Sequence, residues 1–139
     1  MGRRSFEGYR SLRADHPDSP MLAFLDAVDR CVVSTTLADP KWPGTTVIAD
    51  DVVSAVVQVR DRTRGETLVA GSPSIVRQLL AAGALDDLSI TILPIVVGAG
   101  DRLFPDHASD GLDRLPLTLT DHRVLTSGAV QLTYRRADG

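Results

Sequence analysis

Apolar positions in this chain fall into short blocks separated by turn residues, and the spacing inside each block predicts its conformation. "RCVVSTTL" (30–37) and "TTVIA" (45–49) are brief and β-branched, as buried strands are, and the turn-rich "ADPKWPG" parts them. In "DDVVSAVVQVRDRT" the valines Val52, Val53, Val56 and Val57 recur at helical spacing despite their β-branched side chains. Asp50 or Asp51 is the candidate cap of that helix, and Gly65 lies past its end.

The middle of the chain is more regular. "ETLVAG" (66–71) predicts a strand. "SPSIVRQLLAAGALDD" (72–87) predicts a helix with Ser72 or Ser74 as cap, Ile75, Val76, Leu79 and Leu80 on its apolar face, and Gly83 as its stop. "LSITILPIVVG" (88–98) predicts another strand, bent at Pro94. Strand, helix and strand in that order describe a βαβ crossover, hence parallel pairing and an α/β sheet covered by helices. In "LPLTLTDHRVLTSGAVQLTYRR" (115–136) two alternating runs flank the turn "TSG", with Val130, Leu132 and Tyr134 on one face. This predicts an antiparallel hairpin closing the sheet.

Composition narrows the class. The 139 residues carry no repeat and no long linker, so 1–139 reads as one domain able to bury roughly two-thirds of its unfolded surface. A net charge of −3 argues against a general nucleic-acid binder, which needs a basic face. The single cysteine, Cys31, excludes an internal disulfide and a cysteine-cluster metal site, and a reducing cytoplasm is its simplest home. No apolar run approaches the ~18 residues of a membrane span. The start "MGRRSF" departs from the myristoylation pattern because Phe6 stands where Ser or Thr is needed.

Three glycine turns and one strand end are candidates for chemistry. In "PIVVGAGDRLFPD" (94–106) the third glycine of a dinucleotide fingerprint is replaced by Leu103, and Pro105 interrupts the helix that should follow. Gly98 and Gly100 therefore read as a sharp turn returning Leu103 and Phe104 to the core. "VAGSPSIVRQLL" (69–80) does open a helix. The backbone N–H groups of Ser72 to Ile75 form an anion site with the helix dipole behind them, or simply a capped helix that binds nothing. In "MGRRSFEGY", Gly2 permits close backbone approach, Ser5 is a candidate cap, and Arg3 and Arg4 suit a phosphate clamp; taken singly, the stretch reads as an exposed basic terminus. Ser34, Thr35 and Thr36 present hydroxyls at a strand end, where open α/β sheets border their ligand crevice.

Taken in order, "GRRSFEGY", "VVSTTLADPKWPGTTVI", "LVAGSPSIVRQLLAAGALDDLSITILPIVVGAGDRLFP" and the closing hairpin resemble the dihydrofolate-reductase-like family typified by the RibD C-terminal domain of riboflavin biosynthesis. The resemblance covers essentially the whole chain. It implies a three-layer α/β fold, mostly parallel with a C-terminal antiparallel hairpin. It also implies a homodimer and use of NADPH to reduce a pteridine-like or ribosylaminopyrimidine-like small molecule. Gly2, Arg3, Arg4 and Ser5 resemble the family's phosphate-binding G-R-[RK]-[ST] element. Ser34 matches the serine of its strand-end S-R-T near the adenosine 2′-phosphate, with Thr35 and Thr36 completing that stretch. Gly71, Ser72, Ser74 and Ile75 match the second phosphate-binding turn, and Gly98 and Gly100 lie toward the substrate.

Two departures accompany the match. Thr35 stands where the family carries arginine, which leaves NADH open beside NADPH. Members also carry a strand, a helix and a strand before the G-R-R element, so the resemblance implies an N-terminally truncated form in which Met1 is an internal methionine of a longer reading frame. A shortened, non-catalytic homodimeric module of the same fold is the alternative.

No nucleophile with a neighbouring base is visible, which suits hydride transfer, where the cofactor supplies the reactive atom. No catalytic residue is assigned. His16, His107 and His122 lack metal-ligand spacing and read as surface or turn residues. Cys31 reads as a small core residue and Trp42 as a lid over the core rather than an adenine platform. Asp86 and Asp87 read as solvent-facing turn residues.

Overall fold

A computed structural model of the protein describes residues 1–49, 51–105 and 114–137; the candidate cap Asp50 and His107 lie outside the described residues. The order is α1 (Arg3–Asp15), α2 (Pro20–Ala27), β1 (Arg30–Val33), β2 (Thr45–Ile48), α3 (Val52–Arg62), α4 (Pro73–Ala81), β3 (Asp87–Ile92), β4 (Leu117–Val124) and β5 (Val130–Arg136). β1 and β2 pair in parallel, with Arg30 opposite Thr45 and Val33 opposite Ile48. The other three strands form an antiparallel sheet in the order β3-β5-β4. The fold is thus α/β, with a parallel part and an antiparallel part.

Each element has a local cause. α3 begins where the Asp51 carboxylate accepts from Ser54 N–H at 2.9 Å, which also holds Asp51 below the usual carboxylate range. Its valines flank the buried Ala55. α4 begins at Ser72–Pro73, buries Ile75, Val76, Leu79 and Leu80, and ends in a double closure. Gly83, at φ +65°, donates to Leu80 O, and Ala84 donates to Leu79 O. In the hairpin, Leu132 lies between Ile90 and His122, and Tyr134 between Leu88 and Leu119.

Two apolar clusters carry the packing. Phe6, Leu22, Leu25, Val32 and Trp42 join α1 and α2 to β1. Val76, Leu80 and Leu88 join α4 to the antiparallel sheet. Trp42 is buried and tilted against Phe6 at 5.7 Å between ring centres, so it is a lid over the core as its sequence setting suggests.

The parallel pairing is narrower than the sequence predicts. Residues 66–71 run straight, with neither turn nor bend, but belong to no sheet, and β3 pairs with β5 instead. A strand exists only where a neighbour supplies its ladder, and among the described residues none reaches Glu66–Ala70. β3 also ends at Ile92, short of Gly98, with Ile95 N–H turning back to Leu93 O. The loop after Gly100 returns only one of its bulky pair. Leu103 packs against the α4 cluster, whereas Phe104 stays exposed.

Candidate functional site

The starts of α1 and α4 meet at one corner. Gly2 and Ser72 are the two N-cap residues, and Gly2 N–H donates to Gly71 O at 3.1 Å. A Cβ added to Gly2 would stand 2.6 Å from Ser72 Oγ, so only glycine lets the two helix ends approach this closely. Gly71 is needed for a second reason. Its φ of +75° is left-handed, and a Cβ there would stand 3.1 Å from Ser5 Oγ. The positive ends of two helix dipoles therefore face one point, a favourable place for an anion.

The side chains around this corner are partly committed. Arg3 reaches across to the end of β1, with Nη1 donating to Thr36 Oγ1 at 2.6 Å and Nε to Glu7 at 2.8 Å. Ser34 Oγ accepts from Thr36 N–H and Leu37 N–H, which folds the Ser34–Leu37 turn into place. Thr35 is exposed. Arg4 is exposed and, among the described residues, makes no hydrogen bond, so its guanidinium is available to a ligand.

Some sequence assignments need correction. Ser5 does not cap α1, because the helix already begins at Arg3 and Gly2 occupies the cap. Neither Ser72 nor Ser74 caps α4 with its side chain; their hydroxyls lie 3.1 Å from each other. The amides of Ser72 to Ile75 are not all free either. Pro73 has no N–H, and Ile75 N–H donates to Ser72 O at 3.0 Å. The Ile75 side chain is buried against Gly2, so its part is packing. Gly98 and Gly100 have positive φ and nothing within 4 Å of an added Cβ, so no contact joins them to the corner. Gly2 to Ser5, Ser34 to Thr36 and Gly71 to Ser74 are brought together; the Gly98–Gly100 loop is not. At its far end, that loop is tied to α4 by Arg77 Nη1 donating to Leu103 O at 3.1 Å.

Other residues carry structure that their sequence setting did not reveal. Arg30 is buried; its guanidinium donates to Leu25 O, Val28 O and Pro43 O and stacks 4.8 Å from the Trp42 ring. Every polar end is satisfied by carbonyls that close α2 and the following turn. The signal was there, since an arginine opening a buried β-branched run needs partners. Asp87 is no turn residue, because it opens β3 opposite Arg135 and forms a two-pronged ion pair at 2.9 Å. Arg135 holds the Asp87 carboxyl below its usual range. His16 caps the end of α1, and His122 lies in β4.

Comparison with known proteins agrees with this architecture. The RibD C-terminal domain pattern matches residues 10–131, beginning just after the Gly2–Ser5 element. The uncharacterized protein YyaP of Bacillus subtilis (strain 168) is 26% identical over 87 residues, which are 63% of this chain and 44% of YyaP. The chain thus spans less than half the length of that relative. A solved Shewanella sp. PV-4 structure, described as a "Putative riboflavin biosynthesis protein", superposes with a TM-score of 0.75 at 20% identity, covering 99% of this chain and 72% of its own. A pyrimidine reductase-like protein from Corynebacterium diphtheriae gives a TM-score of 0.55 at 21% identity, covering 78% and 50%.

Proposed function

The chain belongs to the RibD C-terminal domain family, and on that footing we propose that it is a nicotinamide-dependent reductase acting on a pteridine-like or ribosylaminopyrimidine-like small molecule. The observation that carries the reading is the shared corner of α1 and α4, with the Ser34–Thr36 strand end tied to it through Arg3. Two converging helix starts suit a diphosphate, and a free guanidinium at Arg4 suits an additional phosphate. Ser72 and Ser74 supply hydroxyls to the same ligand, and Arg3 holds the floor beneath it. The dinucleotide, when bound, supplies the hydride. The protein's part is to orient it and to exclude water, with Gly98 and Gly100 toward the substrate. NADPH is the preferred form on this reading, because Arg4 offers the charge that Thr35 does not; NADH is the poorer ligand.

A second reading, a non-catalytic homodimeric module of the same fold, draws on the unladdered residues 66–70 beside the corner. Thermal melting with each dinucleotide separates the two. A ligand of the folded state raises the melting temperature in proportion to its occupancy. We expect saturable stabilisation by NADPH, a smaller effect of NADH, and about tenfold weaker NADPH binding in Arg4→Ala, the loss expected for one charge-assisted contact. If neither dinucleotide moves the transition, the reductase reading fails and the module reading stands.

A further inference from the structure

Between β1 and residues 66–70 lies an apolar cleft of about 390 Å³, lined on one wall by Arg30 to Val33 and on the other by Thr67 to Ala70. Leu25, Val28, Val56 and Val59 close it from α2 and α3. In the parallel ladder, Arg30 N–H and Ser34 N–H point at β2, donating to Gly44 O and Ile48 O. By alternation, the polar groups of Cys31 and Val33 point the other way, toward the cleft.

One rung of a further strand already stands at the end of that cleft. Met1 N donates to Cys31 O at 2.8 Å, Val33 N–H donates to Met1 O at 2.9 Å, and Gly2 pairs with Val33 in the parallel sense. On its other side Gly2 N–H bonds Gly71 O. A single strand's width therefore separates the two walls at this end. Past that rung, Cys31 N–H and the backbone of Glu66–Ala70 have no hydrogen-bond partner among the described residues. Thr67 Oγ1 is buried with no partner as well. Buried donors and acceptors left this way cost about 1–3 kcal/mol each, and a second backbone inserted between the walls satisfies both at once.

We propose that this cleft is a strand-acceptor site that binds a short, uncharged, β-branched segment of a second polypeptide, parallel to β1. The apolar lining selects the side chains, because a charged residue there would lose its hydration without a partner. The backbone edges select the conformation, and a small apolar molecule would leave them unmet. This inference stands apart from the reductase reading, since its readout involves no dinucleotide.

The test uses the intact chain and a capped seven-residue peptide of alternating threonine and valine. Cys31 lines the cleft and is the sole cysteine, so maleimide labelling reports occupancy. With peptide at ten times its Kd, labelling should slow about tenfold, following the fraction left free. Amide exchange should slow at Cys31 and within 67–70 while β3–β5–β4 is unchanged. A peptide with proline at alternate positions, lacking half the donors, should protect neither. Val69→Asp should abolish protection, with exchange in the antiparallel sheet confirming that the variant is folded. The idea is overturned if the peptide leaves labelling unchanged, or if the proline peptide protects equally. It is also overturned if protection appears only when the same seven residues are fused directly to Met1.

Discussion

Asp26 shows how one exposed carboxylate can serve several neighbours. It accepts from Trp42 Nε1 at 2.7 Å and from Arg13 Nε at 3.0 Å, tying the lid residue and α1 to α2. The Trp42 bond first, and Arg13 second, hold its carboxyl below the ordinary range. A carboxylate depressed in the folded state adds stability above its unfolded value, and that stability is lost as pH falls through the folded value. Melting temperatures of the native chain and Asp26→Asn should therefore differ at neutral pH, with the native chain higher, and converge below about pH 4. A gap that stays constant on acidification would show that the ionised form does not matter. At this scale the site was legible only in part. Gly2 and Gly71 were readable as close-approach and left-handed positions, because only glycine tolerates both. That Arg3 would spend its guanidinium on Thr36 and Glu7 was not readable, since the partner at 36 is far along the chain.

Elements whose signals are local were the readable ones. α4 carries a proline start, an apolar face and a glycine stop within one window, and the hairpin carries its turn between two alternating runs. α2 has the same kind of start at Ser19–Pro20, but its eight residues give too few turns for a periodic face beyond Leu22 and Leu25. Residues 66–71 look like a strand because they are apolar and β-branched, yet a strand is a property of a pair, and composition does not reveal whether a neighbour is present. The glycine stop of α4 is testable by itself. In Gly83→Ala the left-handed φ of +65° places a Cβ 2.9 Å from Arg136 Nη1, a flexible end that can yield. The remaining cost is backbone strain, about 1 kcal/mol. Urea unfolding should show the midpoint fall by that amount with the slope unchanged; an unaltered midpoint would mean that the double closure on Leu79 and Leu80 does not depend on glycine.

At the scale of the molecule, the distribution of exposed apolar surface matters most. β3 pairs only with β5, so its other edge presents unpaired backbone groups. The chain continuing from that edge is apolar and bare, with Ile95 66%, Val96 95% and Val97 75% exposed. Bare edges of this kind pair with other chains unless charge or proline blunts them, and here Pro94 is the one interruption. The homodimer we infer for a reductase of this family would draw on such a surface. Sedimentation over a range of protein concentrations should show reversible association, and Val96→Lys, which sets a charge at the most exposed position without touching a packed one, should shift the distribution toward monomer. A native chain that sediments as a monomer throughout, or a variant that associates equally well, would remove this edge from any account of assembly. The substitution lies outside the Cys31 cleft lining, so maleimide protection there should persist in Val96→Lys, keeping the two surfaces experimentally separate.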